Sequence, residues 1–97
     1  MLTILMRKVL VLNENDNIAV CLVELGIGEV IRQDGLNLTI QNLIPRGHKV
    51  ATRAIAKDDG IIKYGERMGH ATADIKVGEH VHTHNVLGDR LSTEQTK

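Results

Sequence analysis

The apolar runs of this 97-residue chain are too short to form helices. Each run spans four to seven residues and ends at a break containing Gly, Asn or Asp, a pattern typical of β-strands. Asp34-Gly35, between two of the runs, predicts a two-residue type I′ hairpin. We therefore expect a mainly β domain with at most one short helical turn, near 53–57. The predicted strands are 7–12, 18–23, 29–32, 37–41, 49–55, 61–64 and 80–85.

A weak internal repeat also indicates a β architecture. The segments 21–31, 51–61 and 71–81 each place a small residue four positions before a central Leu25, Ile55 or Ile75. A turn and a second apolar strand follow in each copy. The spacings of 30 and 20 residues differ, which excludes a regular solenoid and favours a compact fold with recurring corners.

Composition excludes several functional classes. The 12 basic and 12 acidic residues cancel and are interspersed, and the chain has one Tyr and no Phe or Trp, so a nucleic-acid binder is not expected. No segment approaches the roughly 18 apolar residues of a membrane span, and Arg7-Lys8 interrupts the apolar start, which argues against a signal peptide. Cys21 is the only cysteine and is interpreted as a buried thiol. These features predict a cytoplasmic protein.

The string "HVHTHN" at 80–85 contains three of the five histidines. On an extended strand His80, His82 and His84 would share one face, because alternate side chains point the same way. Two imidazoles at this spacing can hold one metal ion, and a third can add a ligand or a general base. A solvent-facing strand that tolerates histidines remains the alternative. No Cys or carboxylate nearby completes a closed site.

Two other segments carry candidate chemistry. "PRGHKVA" places Arg46, His48 and Lys49 at a turn, where basic side chains and backbone N–H groups suit a carboxylate or phosphate, or where the charges are incidental to a surface turn. "IIKYGERMG" places Lys63 beside Tyr64. A phenol near a lysine can act as an acid or base, although a lone Tyr more often plugs a small core.

The segment 46–85 resembles the N-terminal domain of the altronate and galactarate dehydratase family, and the related small subunit of sulfolactate sulfo-lyase. The matching motifs are "GHK", "IKYG", "ADI", "GE" and "HTHN", in that order, with "DNIAV" at 16–20 upstream. The chain departs from the family pattern at Asp58, where a Gly is usual, and at His70, where a Tyr is usual.

The resemblance implies a small SAF-type β-clip domain, which we place over 1–87. Residues 88–97 lose all apolar periodicity and are interpreted as a tail or linker. It also implies removal of water from a sugar acid, by abstraction of the proton α to a carboxylate with help from a divalent metal, Fe²⁺ or alternatively Mn²⁺ or Mg²⁺. Most of the catalytic machinery would belong to a large catalytic subunit or domain. Pairing of isolated copies through sheet edges is also expected.

The resulting site hypothesis assigns three roles. The metal ligands are His82 and His84, and the resemblance ranks both above His80. The catalytic groups are His48, Tyr64 and His84. The substrate contacts are Arg46, Lys49, Lys63 and Asn85. Two alternatives stay open: sulfite elimination from sulfolactate, and a SAF module that binds or assembles without chemistry.

Overall fold

The computed structural model describes residues 7–89 and is built almost entirely of short strands. The mainly β prediction is confirmed, and 53–57 is not helical, because Ile55 forms an antiparallel bridge with Ile75. No helix in the described range is long and apolar enough to cross a membrane. The strands are β1 Val9–Leu10, β2 Ile18–Cys21, β3 Val30–Gln33, β4 Leu36–Thr39, β5 Lys49–Ala51, β6 Gly60–Lys63, β7 Glu66–Ala71, β8 His80–Val81 and β9 Val86–Leu87.

The strands form three antiparallel sheets. The first has the order β1-β2-β5-β8, the second is the β3-β4 hairpin, and the third has the order β6-β7-β9. Strand β5 lies in the middle of the first sheet, with Ala19 opposite Val50 on one side and His80 opposite Val50 on the other. This pairing brings the turn before β5 next to β8, two segments that lie far apart in the sequence.

The fold contains two copies of one structural unit, a first repeat (21–49) and a second repeat (51–80). In the first repeat, Leu25 and Ile44 exchange both backbone hydrogen bonds, each 2.9 Å long. Two turns flank this bridge: Gly28 N–H donates to Ile40, and Gly47 N–H donates to Cys21. Each turn is therefore completed by the other, and we call 21–30 with 40–49 the first corner pair.

The second repeat reproduces this arrangement at an offset of 30 to 31 residues. Ile55 and Ile75 exchange backbone hydrogen bonds of 2.8 and 2.7 Å. Asp58 N–H donates to Ala71, and Gly78 N–H donates to Ala51. The second corner pair is thus 51–60 with 71–80. The sequence predicted corners centred on Leu25, Ile55 and Ile75, and the structure adds a fourth at Ile44.

A two-residue hairpin joins the corners in each repeat. Asp34 and Gly35 have φ values of +50° and +85°, which confirms the predicted type I′ turn. Tyr64 and Gly65, at +58° and +73°, make the same turn in the second repeat. The buried carboxylate of Asp16 accepts hydrogen bonds from both of these amides, at 3.1 and 2.8 Å. Asp16 therefore stabilises a turn in which a non-glycine residue is held at positive φ.

Each repeat has its own aliphatic core. The first cluster packs Leu25, Ile44 and Val50 with residues from β1 to β4, and the second packs Ile55 and Ile75 with Ile18 of β2 and residues from β5 to β9. Cys21 is buried in the first cluster as predicted, and its burial raises the pKa of its thiol to about 11. The central residue of each corner is therefore buried, and several residues on either side of it are exposed.

The C-terminal part of the described chain departs from the predicted strand pattern. The predicted strand over 80–85 is wrong beyond Val81, because residues 82–85 form a turn in which Asn85 N–H donates to the His82 carbonyl at 3.1 Å. The chain then re-enters a sheet as β9, which the sequence did not indicate. Residues 90–97 of the predicted tail, like the start of the chain before Arg7, lie outside the described residues.

Candidate functional site: a histidine cluster beside a lysine-lined pocket

Four of the five imidazoles meet where β5 and β8 pair. His48 closes the turn before β5, His80 opens β8, and His82 and His84 lie in the turn that follows. The antiparallel register sets Lys49 opposite Val81, so the residues just before Lys49 and just after Val81 face one another. Sheet pairing therefore joins two motifs that are separate in the sequence.

The rings form a compact stack. His48 and His82 have centroids 4.1 Å apart with planes at 20°, and His80 lies 5.0 Å from His48 and 5.4 Å from His82. His48 Nδ1 lies 2.8 Å from His80 Nε2, a hydrogen-bond distance. His84 contacts His80, with the ring centroids 5.2 Å apart and the ring planes at 40°. One ligand nitrogen from each of His48, His80 and His82 lies within 4.8 Å of the others.

Two asparagine side chains hold the backbone of this cluster. The His80 N–H donates to Asn42 Oδ1 at 3.0 Å, and the His80 carbonyl accepts from Asn85 Nδ2 at 2.9 Å. Asn85 Oδ1 also accepts the His82 N–H at 3.0 Å. The outward polar groups of β8 are thus bonded to amides, which fixes where the His80 and His82 side chains leave the backbone.

Burial and mutual repulsion lower the pKa of His80. Desolvation is the main cause, followed by the positive charge that His84, His48 and His82 would carry if protonated. A lowered pKa favours the neutral imidazole near pH 7, which is the form that binds metal ions and accepts protons.

A pocket of about 340 Å³ opens beside the cluster. Its floor is apolar, and its polar groups include Lys49, Lys63 and His82, with no carboxylate among the lining residues. Lys63 Nζ also lies 5.5 Å from the centre of the Tyr64 ring. Two cations and no carboxylate among the lining residues give this pocket a preference for anions. The apolar residues that line it are Ile18, Ile61, Met68, Val81 and Val86.

The structure brings some predicted site residues together and separates others. His48, His82, Lys49 and Lys63 lie in the cluster or the pocket, and His84 lies at the edge of the cluster.

Arg46 is exposed in the second turn of the first corner pair. Tyr64 is 62% exposed at a hairpin tip and does not line the pocket, so it is not the core plug considered above, and its catalytic role stays a prediction. The Asn85 amide is occupied by backbone groups.

The sequence ranked His80 below its neighbours and did not indicate Asn42. His80 belongs to the cluster because β8 pairs with β5, a contact between residues 30 positions apart. The sequence feature that could have identified His80 was its predicted position on the same strand face as His82 and His84. Asn42 has no local signal, since its partner lies 38 residues away.

His70, one of the two departures from the family pattern, lies apart from the stack. Its Nδ1 is 2.8 Å from Asp89 Oδ1, and Arg67 Nε donates to the other oxygen of that carboxylate at 2.6 Å. These contacts lower the pKa of Asp89, with the Arg67 hydrogen bond as the main cause. Since His70 does not stack on another histidine among the described residues, it provides a control for experiments on the cluster.

Comparison with known proteins shows which family matches this sequence. The profile of the altronate/galactarate dehydratase SAF domain matches residues 7–89. Altronate dehydratases of Escherichia coli and Bacillus subtilis are 46% and 38% identical over 80 residues, which is 82% of this chain but 16% of each enzyme. The (2R)-sulfolactate sulfo-lyase subunit alpha of Chromohalobacter salexigens is 44% identical over 64 residues, 65% of this chain and 68% of that subunit. The chain thus spans about one sixth of the dehydratases and most of the lyase subunit.

Proposed function

We propose that this chain, which belongs to the SAF domain family of altronate and galactarate dehydratases, is the small subunit or N-terminal domain of a metal-dependent sugar-acid hydro-lyase. It would contribute to a site shared with a much larger catalytic polypeptide. The observation that carries the proposal is the stack of His48, His80 and His82 beside a pocket with two lysines. The relatives support it, since the altronate dehydratases have five sixths of their length outside the matched segment.

The donor set of the cluster fits a divalent cation. Three imidazole nitrogens within 4.8 Å of one another suit Fe²⁺, Mn²⁺ or Zn²⁺, and suit Mg²⁺ poorly because Mg²⁺ prefers oxygen ligands. His48 and His80 are half-buried and His82 is exposed, so one side of the group faces outward. When bound, the cation would act as a Lewis acid on an oxygen of the substrate. Fe²⁺ is the metal we favour, and His48, His80 and His82 would hold it, with His84 able to contribute from the edge.

The lysines suit the charge of the substrate. A hexonate or hexarate carries one or two carboxylates, and Lys49 and Lys63 can bind a carboxylate at the pocket. Removal of the α proton builds negative charge on that carboxylate, which nearby ammonium groups stabilise. An imidazole at the edge of the cluster, such as that of His84, can accept or return a proton. Arg46, on the exposed turn before His48, could bind the second carboxylate of a hexarate.

The proposal that a larger polypeptide completes the site rests on a type of metal ligand that the described residues do not supply. Between Arg7 and Asp89, no carboxylate joins the three histidines as a candidate metal ligand. A centre of this kind would be completed by groups from the larger polypeptide. The chain by itself would bind metal and anion and would show little turnover.

The test combines metal binding with activity. The chain is titrated with Mn²⁺ and with anaerobic Fe²⁺ by calorimetry, as wild type, His82→Ala, His80→Ala and the control His70→Gln. Affinity should fall at least about tenfold in the first two variants and stay unchanged in the control, since each of these histidines supplies about one third of the nitrogen ligands. Equal affinity in all four proteins would refute the metal site.

Activity is then measured after mixing with the larger polypeptide from the same genome, using altronate and galactarate. We expect metal-dependent dehydration that His82→Ala abolishes and His70→Gln retains. Activity that survives His82→Ala would remove that residue from the mechanism. Metal-independent assembly with no role for the histidines would instead favour a module that binds without chemistry.

Sulfite elimination from sulfolactate is the second candidate. It is favoured by one observation, that the chain covers 68% of a sulfo-lyase subunit alpha. The lysine-lined pocket accepts a sulfonate as readily as a carboxylate, since both are anions with oxygen acceptors. Including (2R)-sulfolactate among the substrates, with sulfite release as the signal, decides between the two.

A further inference from the structure

The two repeats differ in one respect that their shared backbone does not explain. Five positions on the outside of the first corner pair carry large apolar side chains that are 38 to 76% exposed, and the matching positions of the second repeat carry polar residues or glycine. Because the backbone is the same, the fold itself does not require apolar residues there. The apolar residues are Leu22, Val23, Ile27, Val30 and Leu43, and their counterparts are Thr52, Arg53, Lys57, Gly60 and Asp74.

Position 27 illustrates the difference. Ile27 is 76% exposed at the turn of the first corner, where the second repeat has an exposed lysine, Lys57. Leu43 is 56% exposed. The antiparallel bridge between Leu25 and Ile44 sets Leu43 opposite Gly26, the residue before Ile27. Its counterpart Asp74 accepts a hydrogen bond from Lys57 N–H at 2.9 Å. The second repeat thus shows how the same corner looks when it faces water.

We propose that this apolar face of the first corner pair, the five residues named above, is the surface on which the larger dehydratase polypeptide docks. The inference rests on the proposed function for the existence of that polypeptide, and on the asymmetry of the repeats for the location. The five side chains expose roughly 400–500 Å² together, the size of a typical largest patch on a monomer, and such patches are often functional.

The position of the face relative to the histidines fits this partner. Leu43 follows Asn42, whose side chain bonds the backbone of His80, and His48 ends the same corner. A polypeptide seated on Leu43 would therefore lie next to the open side of the histidine cluster. The remaining area of a stable interface, about 800 Å² per partner, would come from surface around that cluster.

A second copy of this chain fits less well. Two copies meeting through this face alone would bury about 1,000 Å² or less, below the roughly 1,200 Å² typical of stable complexes. Symmetric pairing would also leave the histidine cluster incomplete, because each copy brings only the same imidazoles. The larger polypeptide supplies both the area and the missing ligands.

The second repeat provides the substitutions for the test. Ile27→Lys with Leu43→Asp copies the Lys57 and Asp74 pair, so the variant should fold as stably as the wild type. The control is Lys57→Glu, which changes the charge of the second corner pair. Affinity for the larger polypeptide from the same genome is measured by calorimetry, and the mass of each chain alone by light scattering.

We expect affinity to fall by about tenfold or more in the double variant and to be unchanged in Lys57→Glu. Activity of the double variant should return when its concentration is raised, whereas His82→Ala should stay inactive at every concentration. Equal affinity of the double variant and wild type would overturn the docking surface while leaving the proposed function intact. A wild-type dimer that the double variant dissociates would assign the face to a second copy and overturn the inference. Failure of the wild type to bind the larger polypeptide at all would refute the proposed function.

Discussion

Replacing Asp16 by alanine should destabilise the second repeat by an amount that the structure allows to be estimated. Asp16 is 2% exposed, and its two carboxylate oxygens accept hydrogen bonds of 3.1 and 2.8 Å from the amides of Tyr64 and Gly65. These amides are the central donors of a turn with two positive φ values. The side chain thus links the loop before β2 to the tip of the β6-β7 hairpin.

The size of the effect follows from the number and type of the bonds. A hydrogen bond to a charged group contributes about 1.5–3 kcal/mol, but Tyr64 and Gly65 are exposed, so water can replace part of what the carboxylate provides. We therefore expect Asp16→Ala to lower the free energy of unfolding by about 2–3 kcal/mol. For a domain of this size that corresponds to a Tm decrease of about 10–20 °C.

Urea unfolding followed by circular dichroism measures the change. The midpoint should move to lower urea with an unchanged slope, because the compactness of the two end states is the same. Asp34→Asn is the control, since among residues 7–89 its carboxylate makes an exposed ion pair with Arg7, and loss of that pair should cost at most about 0.5 kcal/mol. A loss below about 0.5 kcal/mol in Asp16→Ala would show that the carboxylate does not support the turn.

Three further predictions concern single residues. Asp58→Gly should raise stability by about 0.5–1 kcal/mol in urea unfolding, because Asp58 is held at φ +75° where glycine is less strained; a loss would indicate an unseen role for the carboxylate. Gly78→Ala should prevent stable folding, judged by circular dichroism, because its Cβ would lie 1.9 Å from the Thr39 carbonyl oxygen. Stability should decrease as pH falls below about 6.5, since the pKa of His80 is lowered on folding and the unfolded chain binds more protons in that range; His80→Gln should reduce this slope in urea midpoints measured between pH 5 and 8.

Local chemistry explains which parts of the fold could be predicted. Asp34-Gly35 fixes its hairpin through residues that accept positive φ, and this signal needs no distant partner. Tyr64-Gly65 adopts the same turn without such a signal, because the support for Tyr64 comes from Asp16, 48 residues away. The predicted turn and the missed turn thus differ in where their stabilising contacts lie.

The missed fourth corner has a similar cause. The predicted pattern required a small residue four positions before the central one, as at Cys21, Ala51 and Ala71. The fourth corner has the large Ile40 at that position, where it is buried against the first cluster. The side chain at this position differs in size between the two repeats although the backbone is the same. A search for small residues therefore could not detect the fourth corner.

The histidine site was predicted in outline and not in detail. His48 and His82 were assigned from separate motifs, and the pairing of β5 with β8 brings their rings together. The extended strand predicted over 80–85 fails because Asn85 bonds the His82 amide and closes a turn. Side chains of this type compete with strand pairing through local hydrogen bonds, and alternation of His with Val and Thr does not show that competition.

The contact between His48 and His80 couples two tautomers. At 2.8 Å, the two facing nitrogens have room for one hydrogen, so one ring donates and the other accepts. If neutral His48 donates from Nδ1, its Nε2 carries a lone pair and His80 keeps its hydrogen on Nδ1. If His80 donates instead, the lone pair moves to His80 Nδ1 and the hydrogen to His48 Nε2. In either state the neutral, metal-free pair presents one donor and one acceptor to its surroundings, so a group that binds one ring sets the hydrogen position on the other, and a cation held by both rings would replace the shared hydrogen.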